Sequence, residues 1–138
     1  MIVLDTNVIS EPLRREPEGR VIQWIDEQAI ETLYVSTITV AELRFGIASL
    51  SVGKHRDSLR ESLEKQVLPL FAGRILAFDM PASRSYGELM AKARAAGHAI
   101  STADGYIAAI VDANGMVVAT RDVSPFEAAG IKVINPWK

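Results

Sequence analysis

Five short apolar runs separated by stretches of helical periodicity restrict this chain's fold more than any other feature. The runs are "MIVLD" at 1–5, "TLYVST" at 32–37, "RILAFD" at 74–79, "MVVAT" at 116–120 and "IKVI" at 131–134. They are rich in β-branched residues and lack a polar face, the mark of strands covered on both sides, as in parallel sheets. Between them, Val40, Leu43, Ile47 and Leu50 in "ITVAELRFGIASL" fall on one helical face. Leu59, Leu63 and Val67 in "RDSLRESLEKQVLPLFAG" do the same, with a stop or kink expected near Pro69. "TNVISEPLRR", "EGRVIQWIDEQA", "PASRSYGELMAKARAAG" and "STADGYIAAIVDANG" are further helices, and the last two end at Gly97 and at Asn114-Gly115. "SPFEAAG" reads as a short connector before the last strand. The expected architecture is an α/β/α sandwich on a parallel sheet of about five strands.

With 138 residues and no linker, repeat or low-complexity stretch, the chain reads as a single domain spanning 1–138. Zero cysteines exclude disulfides, a thiolate nucleophile and a Cys-based zinc site. No apolar stretch approaches the roughly 18–20 residues that span a bilayer. Met1 leads directly into "IVL" and an acid, leaving no room for a signal peptide, so the cytoplasm is the expected compartment. The net charge of −2 is not the footprint of a broadly basic nucleic-acid binder; only a local basic rim would serve.

Four acids gather where such sheets place their ligand sites, at the carboxyl ends of the strands. Asp5 ends the first run, Asp122 follows "VVAT", Glu42 lies early in the helix after the second run, and Asp104 opens the helix feeding the fourth. Asp79 is a fifth acid at a strand end. Each has a local explanation. Thr39-x-x-Glu42 and Ser101-x-x-Asp104 fit capping boxes, Asp5 and Asp79 could cap the helices they precede, and Asp122 could be a turn residue. Jointly they are harder to dismiss, because carboxylates near buried strand ends cost free energy unless paired or metal-bound. Oxygen ligands without His or Cys select Mg2+ or Mn2+ over zinc. His55 and His98, the two histidines, read as surface residues.

These stretches together ("MIVLDTNVISE", "STITVAELRFGI", "LPLFAGRILAFD", "TADGYIAA", "VATRD" and the final "NPWK") make the chain resemble a PIN domain, specifically the VapC/FitB-type toxins of bacterial toxin–antitoxin pairs. The resemblance runs over essentially the whole chain. It implies a Rossmann-like sheet and an Mg2+- or Mn2+-dependent endoribonuclease with one or two ions in an acidic pocket. Asp5, Glu42, Asp104 and Asp122 match the family's pocket acids, and Thr6, Asn7 and Thr120 its supporting polar positions. The resemblance further implies a cognate antitoxin of ribbon-helix-helix type that inserts a segment over the pocket, operator DNA bound only through that antitoxin, and a toxin homodimer. The family-level target is RNA, with transfer RNA cut in its anticodon loop as the expected case.

Arg44 and Arg121, next to Glu42 and Asp122, are the expected RNA contacts; Arg14, Arg15, Arg20, Lys54 and Arg56 could track phosphates. Tyr106 and Phe126 read as core residues. Val8, Ile9, Leu13, Trp24 and Ile25 exceed what one helix needs to cover a sheet, which suggests a face for another chain. A haloacid-dehalogenase-like phosphatase would need an acid where Asn7 stands. A non-catalytic RNA-binding module of the same fold is the remaining alternative.

Overall fold

A computed structural model describes residues 1–138. Strand β1 (Ile2–Leu4) is followed by α1 (Thr6–Ser10) and a 3-10 turn (Glu11–Leu13), then by α2 (Gly19–Glu27). Next come β2 (Leu33–Ser36), α3 (Thr37–Ala48) and α4 (Lys54–Ser62). The second half runs β3 (Ile75–Leu76), α5 (Met80–Ala95), α6 (Thr102–Ala113), β4 (Val117–Ala119), α7 (Val123–Ala128) and β5 (Val133–Ile134). The five strands form one fully parallel sheet in the order β3-β2-β1-β4-β5. This is the expected α/β sandwich.

Consecutive strand residues point to opposite faces, and here both faces are buried. Val3 and Val118 pack with Leu89, Ile107, Val111 and Phe126 on one side. Their neighbours Leu4 and Ala119 pack with Val8, Val21, Leu43, Ile47 and Leu63 on the other. That two-sided burial is why the strands show no polar alternation. Val8 and Ile9 are spent in this core, and Trp24 and Ile25 pack against it. Four of the five early apolar residues are therefore used within the chain, and Leu13 is half-buried outside both core clusters.

Helix α5 ends as its glycine predicts. Gly97 takes φ +80°, which an L side chain rarely adopts, and this lets His98 N–H reach back to the Ala93 carbonyl at 2.8 Å. The helix before Pro69 breaks near the proline, as expected, through a change of winding. It widens into a π turn over Leu63–Val67, then tightens to 3-10 over Leu68–Phe71. Pro69 removes one main-chain donor and crowds the turn before it, so the departure begins ahead of the proline. Two differences stand out. β3 is only two residues long at the edge of the sheet, and "SPFEAAG" lies largely within helix α7 rather than in a bare connector. No helix is long and apolar enough to cross a membrane.

Gly46 sits in the last turn of α3 on an exposed face, and a Cβ there would meet no atom within 4 Å. Glycine in a helix interior costs about 1 kcal/mol relative to alanine. Gly46→Ala is therefore expected to raise the melting temperature by a few degrees, roughly 0.5–1 kcal/mol, in a circular-dichroism melt.

Candidate active site at the carboxyl edge of the sheet

Asp5 is the residue immediately after β1, and it does two jobs. One carboxylate oxygen, Oδ1, accepts the Thr6 N–H at 2.8 Å and so caps α1. The other, Oδ2, accepts the Thr120 hydroxyl at 2.7 Å and, more weakly, the Asn7 amide at 3.4 Å. A carboxylate offers about four acceptor positions. Three donors leave one position open, on Oδ1.

Asp5 is 4% exposed, and its pKa is raised. Burial is the main cause, the Thr120 and Thr6 donors oppose it, and the nearby charges of Asp104 and Glu42 push it up further. Asp5, Glu42 and Asp104 thus share one electrostatic neighbourhood, as the sequence suggested.

Glu42 is linked to β1 through hydroxyls. Thr6 Oγ1 donates to Glu42 Oε1 at 2.6 Å and lies 3.2 Å from Thr39 Oγ1. Each hydroxyl has one proton, so Thr6 gives its own to Glu42 and receives that of Thr39. The capping box expected at Thr39-x-x-Glu42 does not form, because α3 starts earlier. Ser36 is its N-cap and accepts Thr39 N–H at 3.1 Å, which leaves Glu42 a turn further in and free of capping. Asp104 lies in the first turn of α6, where its own N–H is held by Ser101 Oγ at 3.2 Å.

Thr120, fully buried at the end of β4, joins the remaining pieces. Besides donating to Asp5, its Oγ1 accepts Asp122 N–H at 3.1 Å and the Asn7 amide at 3.3 Å. Asn7 Oδ1 in turn accepts Arg121 N–H at 3.1 Å. Asp122 therefore enters the network by its main chain, while its exposed carboxylate caps nothing. Asp79 is a cap, accepting Ala82 N–H at 3.1 Å.

The donor set of Asp5, Glu42, Asp104 and Asp122, all oxygen, fits a hard divalent cation in chemistry and in its shared edge of the sheet. As the side chains stand, no three acids or histidines close around a common point. Both histidines are exposed. Arg44 does not face the pocket. Two residues past Glu42 is about 200° around a helix, and its guanidinium forks onto Glu64 at 2.6 and 3.2 Å. Phe126 is core, and Tyr106 stacks at 4.7 Å on Phe78 and at 4.9 Å on Tyr86.

Sequence reasoning missed Thr39 as the hydroxyl partner of Thr6, and it missed Glu11. Glu11 is 3% exposed and lies just after α1. Burial alone would raise its pKa, but the Glu18 N–H at 3.0 Å and the Arg14 guanidinium at 3.1 Å outweigh that and hold it below the ordinary 4.5. A lowered carboxyl stabilises the fold above its unfolded pKa, and that contribution is lost as pH falls through the folded value. The melting temperature should therefore drop as pH falls below about 4.5, and Glu11→Gln should flatten that drop in pH-scanned melts.

An all-parallel sheet in this order, with acids and hydroxyls gathered on its carboxyl edge, defines an α/β protein whose candidate site lies where open sheets of this class bind their ligands. Comparison with known proteins narrows the class. A PIN domain family model matches residues 2–132, and the chain belongs to the PIN domain family. It is 61% identical to "VapC ribonuclease Y4jK" of Sinorhizobium fredii (strain NBRC 101917 / NGR234) over 138 residues, which cover 100% of this chain and 99% of that protein. It is 53% identical to "Toxin FitB" of Neisseria gonorrhoeae (strain ATCC 700825 / FA 1090) over 137 residues, 99% of both chains. The crystal structure of FitAcB from Neisseria gonorrhoeae superposes with a TM-score of 0.97 at 52% identity, covering 99% of each chain.

Proposed function

We propose that the chain is an Mg2+- or Mn2+-dependent endoribonuclease that acts as the toxin of a toxin–antitoxin pair. The observation that carries this is Asp5. It is a nearly buried carboxylate whose pKa is raised by burial and by two neighbouring acids, and it keeps one acceptor position open. Such a site is costly for a structural cap and suited to a cation. Full-length similarity to proteins named ribonuclease and toxin points the same way.

In this reading Asp5, Glu42 and Asp104 hold the ion, and Asp122 completes the pocket. When bound, the ion supplies charge neutralisation at the phosphate and makes water a better nucleophile at neutral pH. The chain's own residues supply the orientation. Thr120 and the Thr6 N–H fix both oxygens of Asp5, and Thr6 aims the Glu42 carboxylate from the opposite element. Asn7 ties α1 to the Thr120–Asp122 segment, which holds the segment carrying Asp122 against the one carrying Asp5.

Purified chain incubated with RNA should cut in Mg2+ or Mn2+ and not in EDTA. Cutting that persists in EDTA would sink the metal-dependent reading. A non-catalytic RNA-binding module would bind RNA under every one of these conditions and cut under none. The partners proposed with this reading are a ribbon-helix-helix antitoxin over the pocket, operator DNA through that antitoxin, and a second copy of the chain. Transfer RNA is the first substrate to try, because an exposed loop presents unstacked single-stranded bases.

A further inference from the structure

Arg121 lies between Thr120 and Asp122, yet its side chain does not turn into the acids beside it. The guanidinium carbon sits 5.2 Å from the centroid of the Trp137 ring. On another side the same charge is close enough to buried Glu11 to act on its titration, while Asp5 is perturbed by acids and by no arginine. Trp137 is itself firmly placed. Its N–H donates to Asn135 Oδ1 at 2.9 Å, its carbonyl accepts Arg20 Nη1 at 3.2 Å, and it packs against the core on the Leu4 side of the sheet. Arg14 reaches Glu11 from the far side at 3.1 Å.

Arg14 and Arg121 thus flank the buried Glu11 carboxylate, Arg121 lies over the Trp137 ring, and Arg20 holds the main-chain carbonyl of the same tryptophan, a step beyond Asn7. An arginine left free beside several carboxylates would fold onto them by simple Coulomb attraction and compete with a cation. Stacked by its face on an aromatic ring, a guanidinium keeps its N–H edge open for a phosphate.

We propose that Trp137 is a positioning residue that holds Arg121, with Arg20 and Arg14 beside it, as a preformed contact for the RNA phosphate backbone at the rim of the acidic site. The proposal rests on the nuclease reading and adds to it the track by which the strand leaves the pocket.

The test uses full-length chain carrying Asp104→Asn, so that RNA stays intact, and a labelled single-stranded RNA oligonucleotide followed by fluorescence anisotropy across a salt series. Trp137→Leu should weaken binding about 5–10-fold and Trp137→Phe only about 2-fold, since phenylalanine retains part of the stacking surface. Arg121→Ala should lose as much as Trp137→Leu, reduce the logarithmic salt slope by about one, and add no further loss in the double variant. Arg121→Lys, which keeps the charge without the planar stack and leaves the core untouched, should fall between Arg121→Ala and wild type. Losses that add independently, or an affinity indifferent to both residues, would overturn this inference alone. An inactive chain that binds no RNA at any salt would overturn it together with the nuclease reading.

Discussion

Asp104→Asn is expected to abolish RNA cleavage, by at least about 100-fold, while the protein stays folded. That floor is set by what mutation of mere supporting partners of metal ligands typically costs, and a ligand should cost more. The fold survives because the Asp104 carboxylate takes part in no side-chain hydrogen bond; its N–H, the group that Ser101 holds, is unchanged by the substitution. Asparagine in the first turn gives up a favourable interaction with the helix dipole worth about 0.3–1 kcal/mol. Against this, removing the charge relieves its repulsion of Asp5. The melting temperature should shift by only a few degrees. The check is a gel assay with Mn2+ alongside a thermal melt of the same preparation. Undiminished cleavage by a folded Asp104→Asn protein would remove Asp104 from the site.

The second large effect falls on a residue with no charge. Thr120→Val should destabilise the chain by about 2–4 kcal/mol and lower activity with it. The side chain is fully buried, and its single oxygen is saturated. It donates to Asp5 Oδ2 and accepts from Asp122 N–H and Asn7. Valine conserves the shape but removes one partner from each of three polar groups, one of them a buried carboxylate already short of solvation. Thr120→Ser restores the hydroxyl and should recover most of both losses, leaving only a missing methyl group. Chemical denaturation of the two variants beside wild type measures this. A valine variant as stable as wild type would mean that the hydroxyl is not what holds Asp5.

The two effects differ in kind. Asp104 is half-buried but has no side-chain partner, so its loss costs little stability, and it is close enough to Asp5 to matter electrostatically, whereas Thr120 is a structural member whose loss reaches the chemistry through Asp5. Activity and stability should therefore separate for Asp104 and fall together for Thr120, and that contrast distinguishes a ligand from its support.

Local patterning settled much of this molecule. Apolar runs without alternation mean strands buried on both faces, which is a statement about period and needs no knowledge of neighbours. Hence the five parallel strands, the helix ends at Gly97 and Gly115, and the ordered series of acids could all be read in advance. Where a terminator or partner acts across elements, the reading weakened. β3 is short because it is an edge with pairing on one side only, and α7 was hidden in a stretch carrying proline, serine and glycine.

Residue order alone specifies which residues are acids, which elements carry them, and that those elements end on one edge of a parallel sheet. Which groups meet depends on how the elements pack. Thr120 reaches Asp5 across 115 residues and Arg20 reaches the Trp137 carbonyl across 117. Arg44 and Arg121 look alike in sequence, each beside an acid. Helical rotation turns Arg44 away onto Glu64, while the close of β4 brings Arg121 against Trp137. Periodicity specifies the face of an element a side chain occupies, but rotation of one element against another, fixed by the packing of both cores, sets the distances on which charge and hydrogen bonding depend.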